Sequence, residues 1–338
     1  MSLRLVFLST VSIALALSIC ASLAEQPAAS PKKQLAPIPE KLPASTSNPS
    51  SAEKIELGKL LFFDPRLSGS NRVSCASCHR TDKMFADGRR RAEGPGGKLL
   101  PRNTPSLLHV GLHKSLFWDG RSSSLEQQAL IPIQSPLEMD QDLDELVKEL
   151  SGIDGYAGRF RQVFGRPLNK QDIGRALAAF QRTLITRKSP LDRYLAGDKS
   201  ALSAAAQTGL ELFVGDAGCI RCHHGPLLSD DRFYRLGVGR GDRGRGAVTG
   251  KRQDLYKFRT PSLREVAGTG PYMHDGSQAT LFDVVQYYYR GVPRRGPEGL
   301  ALDVEALVDR SFSEIDALVA FLKSLSGEPL QIEPPKLP

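Results

Sequence analysis

Apolar residues recur at three- and four-residue spacing through most of the chain, while the two-residue alternation of a half-buried strand is scarce. "AEKIELGKLLFF" after Ser50, "SLEQQAL" from Ser124, segments 142–150, 170–187 and 203–214, and "SEIDALVAFLKSL" from Ser313 to Leu325 all read as helices. In the last, Ile315, Leu318, Val319 and Leu322 form one stripe suited to a core. Ser50 with Glu53, and Ser123 with Glu126, have the spacing of a capping box and are expected to open their helices. The predicted fold class is all-α.

The apolar pattern changes character at the start. "LVFLSTVSIALALSICASLA" follows Arg4 and ends in small residues, so residues 1–24 are expected to be an export signal peptide and the mature chain to work in the periplasm. Ser9, Thr10 and Ser12 interrupt that run, and no later stretch is apolar enough to span a bilayer, so no transmembrane anchor is expected. Cys20 follows an isoleucine and is not read as a lipidation site. Residues 25–50, rich in Pro, Ala, Ser and Lys, are expected to be a flexible linker. The remainder is long enough for two domains, placed at 51–190 and 191–326, with a C-terminal tail at 327–338.

Formal charge is +8. A basic surface attracts nucleic acid, anionic lipid or an acidic protein; export and the lack of a nucleic-acid motif argue against the first. The densest basic run, "RLGVGRGDRGRGAVTGKR" at 235–252, is Gly-rich and reads as a mobile surface loop, either solvated or available for docking.

The chain also repeats itself. "NTPSLLHVGLHKSLFWDGRSSSL" begins at Asn103 and "RTPSLREVAGTGPYMHDGSQATL" at Arg259; Thr104 pairs with Thr260, Asp119 with Asp275 and Leu125 with Leu281, each 156 residues apart. "LGKLLFF" and "TGLELFV" precede "CASCH" and "CIRCH" in turn. The two domains are therefore expected to be related by internal duplication. The copies differ at two informative places: Trp118 stands where the second has His274, and Pro132 where it has Tyr288.

Cys-X-X-Cys followed at once by His is the attachment signature of c-type haem. In an exported chain four cysteines would ordinarily form disulfides, and a zinc site would bring its pairs within a few tens of residues. Here the pairs lie 144 apart and each carries the histidine. Two covalently bound haem c groups are expected, one on Cys75, Cys78 and His79, the other on Cys219, Cys222 and His223. His224 reads as a surface residue. Proline supplies no sixth ligand, whereas a phenolate binds iron, so the first haem is expected to be open and the second to carry a tyrosine. Tyr287, Tyr288 and Tyr289 are successive, and helical spacing lets only one face the iron; the repeat offset points to Tyr288.

"SCASCH", "RNTPSLL", "FWDGRSSSLEQQALIPIQSPLEM", "CIRCH", "TPSLREV" and "PYMHDGS" together resemble the bacterial dihaem cytochrome c peroxidase and MauG family over nearly all of residues 50–326. The resemblance implies two cytochrome c-like helical domains, hydrogen peroxide as oxidant and a calcium ion between the haems. By position Asn103, Thr269 and Pro271 match the calcium ligands, the last two through carbonyl oxygens, which suits a hard cation. Trp118 matches the tryptophan between the haems, and Gln128 and Glu138 match the polar pair over the peroxide-binding haem, where a carboxylate can move a proton between peroxide oxygens. Many members place a removable histidine ligand sixteen residues after the first haem histidine; here that residue is Pro95. Many also use methionine where this chain has Tyr288, and a hard phenolate favours the more oxidised iron. MauG has a tryptophan relay where this chain has Ala217.

The expected function is thus a MauG-like peroxidase whose high-valent dihaem state oxidises a secreted partner protein, at tryptophan. One alternative is a cytochrome c peroxidase that removes hydrogen peroxide with electrons from a small donor protein. Another, from a different class, is a dihaem electron-transfer protein.

Overall fold

A computed structural model describes residues 34–338 except 43–44, 240, 294 and 305–311. The expected leader and Cys20 lie outside the described residues. In chain order the helices are α1 (Ala52–Phe63), α2 (Cys75–Cys78), α3 (Leu125–Gln134), α4 (Leu143–Ser151), α5 (Asp154–Phe164), α6 (Lys170–Gln181), α7 (Pro190–Leu195), α8 (Ala204–Val214), α9 (Arg245–Thr249), α10 (Leu281–Gln286) and α11 (Phe312–Lys323). The one sheet among the described residues is a two-residue antiparallel pair, β1 (Phe233–Tyr234) and β2 (Phe258–Arg259). The fold is mostly helical, as the periodicity implies.

Two apolar cores form. The first gathers α1, α3, α4, α5 and α6 around Leu57, Phe62, Ile133, Phe160 and Leu177. The second gathers α8, α10 and α11 around Leu210, Phe213, Val285, Leu318 and Phe321. Each is built on a helix crossing that needs glycine. A methyl group on Gly58 of α1 would collide with the carbonyl of Ala176 and stand 2.9 Å from Cβ of Phe180 in α6. One on Gly209 of α8 would collide with the carbonyl of Ala317 and stand 2.8 Å from Cβ of Phe321 in α11. The missing side chains let the backbones touch.

Local conformation also recurs at the 156-residue offset. His109 and Glu265 both adopt positive φ (61° and 60°), as do Phe117 and Met273 (67° and 69°). Leu116 bridges Ser122, and Tyr272 bridges Gln278. Ser124 caps α3 and Thr280 caps α10.

Four expectations need correction. The caps of α1 and α3 are Ser51 and Ser124, one residue later than expected, accepting from the amides of Lys54 and Gln127. Lys54 fixes the first register by donating to Asn48 Oδ1 and the Pro49 carbonyl, and the Glu126 carboxylate is taken by Arg182 and Asn48 rather than folding back on a cap. Segment 170–187 leaves the helix after Gln181, where the Thr183 hydroxyl donates to the Phe180 carbonyl; Leu184 and Thr186 then run, buried, against His109. The described part of the 25–50 segment is packed: Leu35 joins the second core, Gly225 N–H donates to the Gln34 carbonyl, and Arg187 donates to the Pro39 carbonyl. The 327–338 tail crosses the other way, laying Leu330, Ile332 and Leu337 on the first core. Finally, 235–252 is held rather than loose, since buried Arg235 donates to three backbone carbonyls and Asp242 pairs with Arg102.

Candidate functional site

Both Cys-X-X-Cys-His motifs form one tight turn after a capped or glycine start. His79 N–H donates to the Cys75 carbonyl at 2.8 Å, and His223 N–H to that of Cys219 at 2.9 Å. Each imidazole is oriented the same way, with Nδ1 2.9 Å from the Phe85 carbonyl in one motif and 2.8 Å from the Leu228 carbonyl in the other. A carbonyl only accepts, so Nδ1 carries the proton and Nε2 keeps its lone pair, the arrangement of an iron-binding imidazole. Burial lowers both histidine pKa values, favouring that neutral form. The four cysteines among the described residues are free. Burial pushes the thiol of Cys75 up to about 12, of Cys78 to about 11 and of Cys219 to about 12, so these are neutral thiols.

The two clefts differ in what faces the motif. At the first, the Glu138 carboxyl sits near enough to act electrostatically on both Cys75 and Cys78. Burial raises its own pKa, opposed by a hydrogen bond from Ser135 and by Arg121. Gln128 comes from α3, and its Oε1 is buried without a protein partner. Pro132 lies on the same helix and uses its carbonyl to accept from Ser135 and Met139, which brings the Glu138 loop back along α3. Pro95 stands in the short turn 95–97, whose neighbour Gly94 packs against the Leu137 carbonyl.

At the second motif the three tyrosines separate. Helix α10 widens into a π-turn over Tyr287–Gly291, a feature found often at functional sites. Tyr287 donates its hydroxyl to the Leu236 carbonyl at 2.7 Å. Tyr289 is 1% exposed and belongs to the second core. The pKa of the Tyr288 phenol is raised first by burial and then by Cys219, Tyr287 and Cys222, so it lies within electrostatic reach of the motif. A bound cation would reverse that direction.

Between the motifs the structure joins two residues that the repeat pairs. Trp118 Nε1 donates to the Asn103 carbonyl at 2.9 Å, while Asn103 N–H donates to the His274 carbonyl at 2.8 Å. His274 is buried and stacks on Phe258, ring centroids 3.6 Å apart. Asn103 Nδ2 donates to the Arg89 carbonyl. Thr269 uses its hydroxyl on the Val266 carbonyl, so its side chain is engaged locally. Sequence reasoning missed several residues here. Arg121 lies 3.4 Å over the Phe117 ring and faces Glu138; Arg102 bonds both Asp119 and Asp242; Arg259 bonds Asp231, His113 and the Phe117 carbonyl. Arg102 precedes the quoted repeat segment and Arg121 lies within it, but a lone arginine carries no signal of its own.

The donor set fits haem c: paired free thiols, an imidazole with its Nδ1 engaged, and at the first motif a half-buried acid within electrostatic reach of the thiols. Comparison with known proteins agrees. A profile of the di-haem cytochrome c peroxidase family (CCP_MauG) matches residues 52–200. The methylamine utilization protein MauG of Methylorubrum extorquens is 42% identical over 96% of this chain and 94% of its own. Cytochrome c551 peroxidase of Pseudomonas aeruginosa is 38% identical over 89% and 87%. Among solved structures, a MauG-like protein associated with microbial copper homeostasis superposes with a TM-score of 0.76 at 34% identity, covering 86% of this chain and 95% of that one. The diheme peroxidase BthA of Burkholderia thailandensis gives 0.73 at 25% identity, covering 83% and 87%.

The chain belongs to the di-haem cytochrome c peroxidase family, and is a haem-dependent oxidoreductase of the peroxidase class. Within that family its relatives carry both names, MauG and cytochrome c peroxidase.

Proposed function

We propose that this is a periplasmic, MauG-like peroxidase, built from two duplicated haem c domains, that uses hydrogen peroxide to oxidise a secreted partner protein at tryptophan. Cys75, Cys78 and His79 would hold one haem and Cys219, Cys222 and His223 the other. Each bound haem supplies a redox iron, and an open face lets a small oxidant bind.

The chain's own residues then divide the work. Glu138, its pKa raised by burial, would move the proton of the inner peroxide oxygen to the outer one, so that water can leave. Gln128 offers its buried Oε1 to orient the oxidant's O–H. Trp118 provides an aromatic ring between the halves, held at Nε1 by Asn103. Tyr288 would supply a phenol oxygen to the haem iron at the second motif. Asn103 and the carbonyls of Thr269 and Pro271 would supply neutral oxygen ligands to a calcium ion.

The observation supporting this reading is the asymmetry at one repeat position: Pro132 contributes only a backbone carbonyl, whereas Tyr288 brings a buried phenol within electrostatic reach of Cys219 and Cys222. The test is mass spectrometry of neighbouring secreted proteins treated with the enzyme and peroxide. Oxidised tryptophan in one of them, absent without enzyme, is expected; peroxide turnover with a small cytochrome but no protein oxidation would move the chain to the detoxifying reading, which the name of the 38%-identical relative favours.

A further inference from the structure

We infer that the outer face of α9 is the docking site for the protein being oxidised, and that this partner is acidic. The inference rests on the reading that the substrate is an external protein.

The segment 242–257 is pinned to the body by buried or half-buried cations. Arg102 clamps Asp242 through two hydrogen bonds of 2.6 and 2.9 Å and binds Asp119 at 2.6 Å. Arg245 donates to the carbonyls of Asp119 and Gly120 and lies over the Phe233 ring. Arg235 holds the carbonyls of Gln253 and Leu255. Of its two acids, Asp242 is taken by Arg102 and Asp254 accepts from the Thr249 hydroxyl. Arg243, Lys251 and Arg252 are all exposed and, among the described residues, without an ion-pair partner. They flank α9 in sequence, which carries Val248, 42% exposed. Exposed cations and an exposed apolar residue on a tethered segment suit a transient electrostatic encounter, because the charge steers an acidic surface and little ordering is needed on contact.

Its position is what ties it to the reaction. Arg102 and Arg245 both end on Asp119 or Gly120, directly after Trp118, and Arg259 N–H donates to the Trp118 carbonyl from β2. The face is therefore the outer surface of the Trp118 loop, and a protein seated there lies beside the aromatic residue linking the halves.

The test uses the holoenzyme and R243E/K251E/R252E, with Lys323→Glu on α11 as a distant charge control. Binding is measured by calorimetry at low and high salt with three probes: a small acidic c-type cytochrome, a basic one, and anionic phospholipid vesicles. The visible spectrum and melting temperature verify that each variant is folded. Expected are salt-sensitive binding of the acidic cytochrome, weakened about tenfold or more in the triple variant, and unchanged binding in the control. Equal binding by the triple variant, preference for the basic cytochrome, binding to vesicles alone, or no binding would overturn it. Reaction of the enzyme with peroxide is followed separately by absorbance; failure there condemns the proposed function, not the docking face.

Discussion

The two halves share a scaffold and differ in what they present to their motifs. α1 on α6 and α8 on α11 cross through the same glycine-to-carbonyl contact, and both histidines turn Nδ1 onto a carbonyl five or six residues on. Yet the first motif has the half-buried Glu138 carboxyl within electrostatic reach, the second the Tyr288 phenol on a widened turn. Under the proposed function, a common frame would hold two haems alike on one side while a few residues on the other decide which one meets the oxidant.

That contrast can be broken most severely by removing the attachments. Replacing Cys219 and Cys222 by alanine should leave one covalent haem instead of two, read by intact mass and haem staining; retention of two would refute the assignment of one haem per motif. Next in size, Glu138→Gln should lower the rate of the first reaction with peroxide by about 10²–10⁴-fold with little change in haem content. Because burial raises the Glu138 pKa, the wild-type rate should fall on acidification while the pH is still above the usual carboxylate range, and the variant should lose that inflection. An equal rate in the variant would assign proton transfer elsewhere.

Smaller effects test the shared frame. Gly58→Ala and Gly209→Ala should each destabilise by roughly 1–3 kcal/mol through overpacking, measured by denaturant unfolding; a tolerated substitution in one half only would show that the crossings are not equivalent. The last concerns a buried histidine. His109 is fully buried, its Nε2 on Thr186 and Thr186 on Glu265, and burial lowers its pKa to about 4. The unfolded chain takes up this proton first, at its ordinary value of about 6.5. Stability should therefore fall by at most ~1.4 kcal/mol per pH unit from there down to about 4, and His109→Gln should flatten that slope.

Much of this was legible in the sequence because it is local. The haem motifs and the repeat are contiguous strings, and the helices of both cores carry their period in the chain. Other features depend on partners far away in sequence. Whether Ser50 or Ser51 caps α1 is decided by Lys54 reaching Asn48, and α6 stops at Gln181 because residues 184–186 meet the loop at His109. The Gly/Arg segment looked loose since its tethers, Arg102 and Asp119, lie more than a hundred residues earlier. Among the tyrosines, the repeat offset singles out Tyr288, while the Leu236 carbonyl and the second core, both remote in sequence, account for Tyr287 and Tyr289.

The asymmetry itself is tested most directly by electron paramagnetic resonance of the resting ferric enzyme beside Tyr288→Phe. One high-spin centre that binds added cyanide, and one low-spin centre altered only in the variant, are expected. Two low-spin centres, both indifferent to cyanide and to the loss of the phenol oxygen, would contradict the account.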